Sequence, residues 1–305
     1  MMKKCFNTIL RLEINEKNSG KTVEQILKKE FDISSGLLKE LKLSGKIFIN
    51  NKVCRSIDRA YLKDVVGADV REEKISEIPT NDEPLDILFE DDYVLMVNKP
   101  AGMSIHPSMG NYNRTLAGAV INHWRKKGEE HNFHGVNRLD KDTSGICIIA
   151  KNRYAHHILS NQQQTGEVKK RYCAIVHGEI KNAGIVDFPI KREKEGIIKR
   201  EISPYGKPAV TKYYPIFLNK NFSLINLELL TGRTHQIRVH MAALGHPLFG
   251  DWLYGNGDNE KYLISRQALN VSQTEIFHPA TKEKGEFFVE LPEDMKNLVE
   301  ILKKS

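Results

Sequence analysis

Two carboxylates one residue apart, Asp140 and Asp142, lie in the stretch GVNRLDKDTSGICIIAKN that runs from Gly135 to Asn152. An arginine, Arg138, comes just before them, and the small-residue turn Thr143-Ser144-Gly145 leads from them into an apolar strand. An aspartate in this position can simply close the turn, since its side chain accepts backbone N–H bonds from residues just ahead of it. It can also do covalent chemistry, one carboxylate attacking an electrophilic centre while the second assists. Three further stretches carry residues fit for a site: NKPAGMSIHPSMGN (Asn98 to Asn111), KKRYCAIVHGEI (Lys169 to Ile180) and LLTGRTHQIRVHMAALGHPLFGD (Leu229 to Asp251). In the last, helical spacing predicts His235 and Arg238 on one face of a helix over Thr234 to Leu244, with Ile237, Met241 and Leu244 on a face that packs inward. Strand alternation in the second puts Tyr172, Ala174 and Val176 on one side and Arg171, Cys173 and Ile175 on the other.

DKDTS loosely resembles the DxDxT loop of magnesium-dependent phosphatases of the haloacid dehalogenase type. That loop follows a buried hydrophobic strand, and here the preceding HNFHGVNR is polar and broken by glycine, so the context fails. The four stretches together, in their order along the chain, resemble the RluA-type pseudouridine synthases, and the resemblance covers Leu85 to Pro292. It implies a reaction in which uracil is detached from C1′ of a uridine in RNA, turned, and rejoined through C5. Breaking the glycosidic bond leaves electron deficiency at C1′, which an ionised carboxylate stabilises or traps, as one carboxylate does in retaining glycosidases. Asp140 matches the family's catalytic aspartate, either as the group that attacks C1′ or as the one that removes the 2′ hydrogen to give a glycal.

Enclosing that carboxylate with a nucleobase favours its protonation, so a fixed cation is needed beside it. Arg238 matches the family's arginine that pairs with the aspartate. Tyr172 matches the active-site tyrosine, whose ring would hold the detached uracil by stacking. The base must first leave its helix, at about a few kcal/mol, and Arg138 is the residue expected to help by hydrogen bonding or by filling the vacated space. The family's HRLD reads NRLD here, and Asn137 keeps hydrogen-bonding capacity while losing the ring and its titration. Lys99, Pro100 and His106 match the segment that shapes the floor of the site. Counted as substrate or RNA contacts are Arg138, Asn137, Thr234, His235, Lys99, His106 and Lys170, with Lys39, Lys42 and Lys46 from the N-terminal region.

These groups require a scaffold. YVLMVNKP, GICIIAKN, RYCAIVHGEI, VTKYYPIF, FSLINLELL and GEFFVELP read as strands, and TLAGAVINHWRKK and YAHHILSNQQQ as helices. The expected fold is α+β: a catalytic domain over residues 85–305 on a mostly antiparallel mixed sheet with flanking helices. Before it, residues 1–76 form a small αβ unit and residues 77–84 a linker with two prolines nearby. In the small unit KTVEQILKKEF is one helix; the next starts at Ser34 or Ser35, buries Leu37, Leu38 and Leu41 and closes at Gly45, and KIFINNKV is a strand with an Asn50-Asn51 turn. That helix, helix, strand order resembles the S4-type RNA-binding domain.

Composition agrees with RNA as the partner. The 305 residues carry 46 Lys and Arg against 39 acids, a formal net charge of +7. Residues 169–212 hold 11 basic against 5 acidic residues, a phosphate grip or a solvated face. Cys5, Cys54, Cys147 and Cys173 form no CxxC pair, as expected in a reducing cytoplasm. No apolar run reaches the roughly 18 residues of a membrane span, and MMKKCFNTILRLE is interrupted by Arg11 and Glu13 too early for a signal peptide. The histidines lack zinc-site partners and no phosphate-binding glycine motif occurs, so neither metal nor nucleotide cofactor is expected. Ribosomal RNA of the large subunit is the first substrate candidate, transfer RNA the second, with a monomer as the working state. The rival is a non-catalytic RNA-binding or ribosome-assembly factor on the same scaffold.

Overall fold

The computed structural model describes residues 2, 4, 7–72, 77–108 and 112–304. Cys5, the expected boundary at residue 76, and the last three residues of NKPAGMSIHPSMGN lie outside the described residues.

The N-terminal unit contains β1 (Ile9–Glu13), α1 (Val23–Phe31), α2 (Ser35–Leu43), β2 (Ile47–Ile49), β3 (Lys52–Val53) and β4 (Val65–Asp69), with sheet order β1-β4-β2-β3. Thr22 and Gln25 form a reciprocal cap at the start of α1, each side chain bonding the other's backbone N–H, at 3.3 and 3.0 Å. Ser34 caps α2 by accepting the Leu37 N–H at 3.3 Å, which decides between the two serines. Asn50 and Asn51 both adopt positive φ, 51° and 62°, the tight hairpin turn between β2 and β3 that asparagine tolerates best after glycine. This unit rests on the rest of the chain: the Tyr93 hydroxyl donates to the Asn7 carbonyl at 2.7 Å, Glu72 bonds His134 and Asn132, and Arg153 pairs with Glu40. One hydrophobic core runs through both.

The larger unit is β5 (Asp86–Glu90), β6 (Val94–Lys99), α3 (Leu116–Lys126), β7 (His134–Gly135), β8 (Ser144–Ala150), α4 (Arg153–Thr165), β9 (Lys169–His177), β10 (Gly184–Asp187), β11 (Ile190–Arg192), β12 (Arg200–Ile202), β13 (Val210–Leu218), β14 (Phe222–Leu229), α5 (Gln236–Ala243), β15 (Leu269–Phe277), β16 (Lys284–Phe288) and α6 (Glu293–Lys304). Its ten-stranded sheet has the order β10-β13-β14-β9-β15-β8-β6-β5, with β16 on β15 and β7 on β8; β11 and β12 form a separate hairpin. Every pairing is antiparallel except β15 with β8. The expected α+β class with a mostly antiparallel sheet is what the chain adopts. β8 is buried at all seven positions, which is why SGICIIA is a continuous apolar run instead of an alternating one. Among the described residues no helix is long and apolar enough to cross a membrane.

The parallel junction sits immediately after the two aspartates. Gly145 has φ +109°, and a Cβ there would fall 2.3 Å from the Val271 carbonyl oxygen. The clash is with backbone, so no rotamer relieves it, and the left-handed φ adds strain for any L side chain. Gly145→Ala should therefore destabilise the fold by at least about 2 kcal/mol, read as a lower urea midpoint; a midpoint equal to that of the parent would mean that β8 and β15 can separate freely.

Candidate active site

The loop between β7 and β8 carries Asp140, and its backbone is held from three directions. The Thr143 N–H closes onto the Asp140 carbonyl at 3.1 Å. From β6, Lys99 Nζ donates to the Lys141 carbonyl at 3.1 Å and to those of Pro100 and Met103 at 2.8 and 2.9 Å. From the segment before β15, Arg266 donates to the Asp142 carbonyl at 3.2 Å and Gln267 to the Thr143 hydroxyl at 3.2 Å. Arg266 is itself gripped by Asp294 of α6 at 2.6 and 2.9 Å. Asp140 thus closes its turn through backbone, not side chain, and the carboxylate is left to face outward with 30% exposure.

Opposite that carboxylate stand Arg238 Nη1 at 3.5 Å and His235 Nε2 at 3.7 Å. Arg238, 4% exposed, is fixed by a two-point bond to Asp251, Nε to Oδ2 at 2.6 Å and Nη2 to Oδ1 at 2.7 Å. Asp251 is fully buried and also accepts the N–H groups of Leu253 and Tyr254 at 3.0 and 3.1 Å. Burial opposes the guanidinium charge, but Asp251 outweighs it, and Asp140 and Tyr254 add to the upward direction. The Tyr254 ring lies 5.1 Å from the guanidinium carbon. One side of Arg238 is thereby locked, and its remaining nitrogen is presented to Asp140.

His235 departs from the expected helix. It adopts a left-handed conformation, φ 59° and ψ 17°, ahead of α5, so Thr234 and His235 precede the helix instead of starting it. The imidazole is turned by this kink, and its Nδ1 lies 2.9 Å from the Tyr254 hydroxyl. That hydroxyl also accepts the Arg200 N–H at 2.8 Å and keeps its own proton to give to Nδ1, an arrangement that would place the imidazole proton on Nε2, on the side of Asp140. Burial pulls the imidazole below its ordinary range, against the attraction of Asp140, which favours its uncharged form. Burial also pushes the Tyr254 phenol up to about 12, which keeps that proton in place.

Tyr172 lies on β9 between Leu227 of β14 and Val271 of β15. It is 6% exposed, and burial, followed by the charge of Asp140, moves its hydroxyl upward. The phenol therefore stays protonated and close enough to Asp140 to feel its charge.

Around this cluster the expected contacts divide. Arg138 is exposed on the loop, and its charge acts on His106, whose ring meets Phe133 edge-on at 5.1 Å. Thr234 is exposed beside His235, and Lys170 is half-buried with Nζ bonded to Gln163 at 3.0 Å. Two expected RNA contacts are corrected. Asn137 is 2% exposed and bridges β8 by giving Nδ2 to the Ile146 carbonyl at 3.1 Å and receiving the Ile148 N–H at 2.7 Å. Lys99 has no exposure and all three donors on carbonyls. Both hold the scaffold, because a buried polar group is retained where it completes backbone bonding. Lys39 is exposed on α2, whereas Lys42 pairs with Glu24 at 2.7 Å and Lys46 donates to the Arg71 carbonyl at 2.6 Å; all three belong to the N-terminal unit, outside the Asp140 cluster.

Lys99 has a further consequence. Desolvation lowers it from 10.5 to about 8. Between those values the unfolded chain holds the proton and the native one does not, so this residue makes stability rise with pH across that window, with no slope from it below about 8. Urea unfolding free energies at pH 7.5 and 10 should show a smaller gain in Lys99→Met than in the parent, on a baseline lowered by three carbonyls without donors; equal gains would place the titration elsewhere.

Asp251 and Tyr254 were not legible as site residues. Asp251 closes the stretch Leu229 to Asp251 and Tyr254 lies just beyond it, and the only signal was an acid just after a glycine turn with an aromatic residue three positions on. Among the described residues no three His, Cys, Asp or Glu side chains cluster to hold a metal ion.

Residues 93–243 match the family model described as RNA pseudouridylate synthase. An uncharacterized RNA pseudouridine synthase of Bacillus subtilis (strain 168), YjbO, is 42% identical over 275 residues, 88% of this chain and 95% of that protein. The ribosomal large subunit pseudouridine synthase D of Escherichia coli (strain K12) is 33% identical over 309 residues, 96% of this chain and 94% of that one. In fold, the chain is similar to human RNA pseudouridylate synthase domain containing 1, with TM-score 0.56 and 25% identity over 75% of this chain and 98% of that one. Human RNA pseudouridylate synthase domain containing 4 gives 0.59 and 24% over 71% and 92%.

Proposed function

The chain belongs to the RNA pseudouridylate synthase family, isomerases of uridine in RNA, and from that premise we propose that it modifies large-subunit ribosomal RNA with Asp140 as the group that acts at C1′. The observation that carries the assignment is the half-open Asp140 carboxylate facing Arg238 at 3.5 Å, with that arginine locked from behind by Asp251. As the bond from C1′ to N1 breaks, its electron pair leaves with uracil and C1′ becomes electron-deficient. An anion with a preorganised cation behind it meets that charge without reorganising. Tyr172 supplies a ring for the detached base while C5 replaces N1 opposite C1′, and Arg138 takes the space that the flipped uridine vacates.

The ribosomal target is supported by the name of the Escherichia coli relative, which aligns over nearly the whole chain. Residues 1–76 act in this reading as an S4-like RNA-holding domain with Lys39 on its exposed face, residues 77–84 as the linker and residues 85–305 as the catalytic domain, working as a cytoplasmic monomer. The change from histidine to Asn137 does not favour a non-catalytic binding factor, because that side chain is committed to β8.

The test is to incubate the purified protein with unmodified large-subunit, small-subunit and transfer RNA transcripts, with and without EDTA, and to map pseudouridine by carbodiimide labelling and primer extension. New chelator-resistant stops in the large-subunit RNA are expected. Stops confined to transfer RNA would overturn the ribosomal assignment, and no stops on any RNA would overturn the catalytic one.

A further inference from the structure

Several basic residues over residues 169–212 are paired with acids once folded. Arg171, Lys181, Lys191 and Lys199 pair with Glu228, Glu179, Glu201 and Glu193. Their charges are satisfied at the surface.

Arg200 is different. It begins β12, in the hairpin whose Ile190 packs with Ala209, just ahead of β13, and Val239 of α5, with Tyr254 alongside. Its backbone N–H donates to the Tyr254 hydroxyl at 2.8 Å, and that hydroxyl meets His235, whose other nitrogen faces Asp140. Its charge reaches both His235 and Tyr254. Among the described residues no ion pair engages it, and Nη1 is closed off from solvent with no hydrogen-bond partner.

A guanidinium nitrogen removed from water without an acceptor is unfavourable until something supplies one. Asp140 does not fill that need, since Arg238 and His235 already face it. A carbonyl of the base would satisfy one N–H and leave the charge uncompensated. A phosphate offers two oxygens to the planar fork and a negative charge as well. RNA carries one at every nucleotide. We infer that Arg200 binds a phosphate directly flanking the flipped uridine and so holds the reacting nucleotide against Asp140. This rests on the reading of Asp140 as the group acting at C1′, and it makes the β11–β12 hairpin part of the substrate site.

The experiment uses the full chain and a short RNA hairpin containing a uridine that the parent protein has been shown to convert. If the parent converts none, it is the enzymatic reading that falls. On this hairpin Arg200→Gln should lower kcat/KM roughly 10- to 100-fold, and Arg200→Lys, which keeps a point charge, should recover part of the loss. The decisive readout replaces the phosphate on the 5′ or 3′ side of that uridine by an uncharged methylphosphonate. At one of the two linkages the parent should lose a similar factor while Arg200→Gln loses little more. If the methylphosphonates slow the variant as much as the parent at both linkages, or slow neither protein, Arg200 does not bind this phosphate and the inference is overturned.

Discussion

Asp140→Asn should yield a folded protein that still binds RNA and makes no pseudouridine, its single-turnover rate down by at least about 10³-fold. The substitution keeps shape and volume and removes only the charge and the second acceptor oxygen. The loop should not move, because Thr143, Lys99, Arg266 and Gln267 hold it by backbone and by neighbouring side chains, with no help from the Asp140 carboxylate. Arg238 keeps its partner, since both bonds to Asp251 are independent of Asp140. Stability should therefore change by less than about 1 kcal/mol, and filter-binding affinity should stay within a few-fold because phosphate contacts dominate it. Release of tritium from RNA labelled at C5 of uridine measures the chemistry, and thermal melting checks the fold. Residual turnover within tenfold of the parent would remove Asp140 from the reaction.

The second large effect is on stability. Asp251→Ala leaves the Arg238 guanidinium buried without its counter-charge and two backbone N–H groups, of Leu253 and Tyr254, without their acceptor. Loss of one partner of a buried ion pair costs about 3–5 kcal/mol, so the urea midpoint should fall sharply. Replacing both charges, Arg238→Met with Asp251→Leu, should recover part of that stability, because no charge is then left stranded. The double variant should remain inactive, since Asp140 would face no arginine. A single variant as stable as the parent would mean that Arg238 finds another partner, most directly Asp140 at 3.5 Å.

Much of the architecture was readable because it follows local rules. GICIIAKN, RYCAIVHGEI and FSLINLELL are strands where apolar and β-branched residues cluster, and TLAGAVINHWRKK and YAHHILSNQQQ are helices where Thr115 and Asn152 cap them. The turn at Asn50-Asn51 was legible from residue type alone. The helix start at Gln236 was not, and a start at Thr234 was expected, because periodicity carries no sign of the left-handed kink at His235, whose ring meets Tyr254.

Sequence by itself determined the family and the class of sheet, and it named Asp140, Arg238 and Tyr172 as residues to be expected near one another, which is how they lie. Tertiary structure alone decided who serves whom. Asn137 and Lys99, polar residues in site motifs, became scaffold because β8 and the Asp140 loop offered them unpaired backbone groups. Asp251, 13 positions beyond Arg238, became its partner, and Arg266 reached the Asp142 carbonyl across 124 positions. A hydrogen bond depends on distance in space and on exclusion of water. Neither is written in spacing along the chain: periodicity tells which face of an element is buried, and only the packed sheet tells which groups meet there.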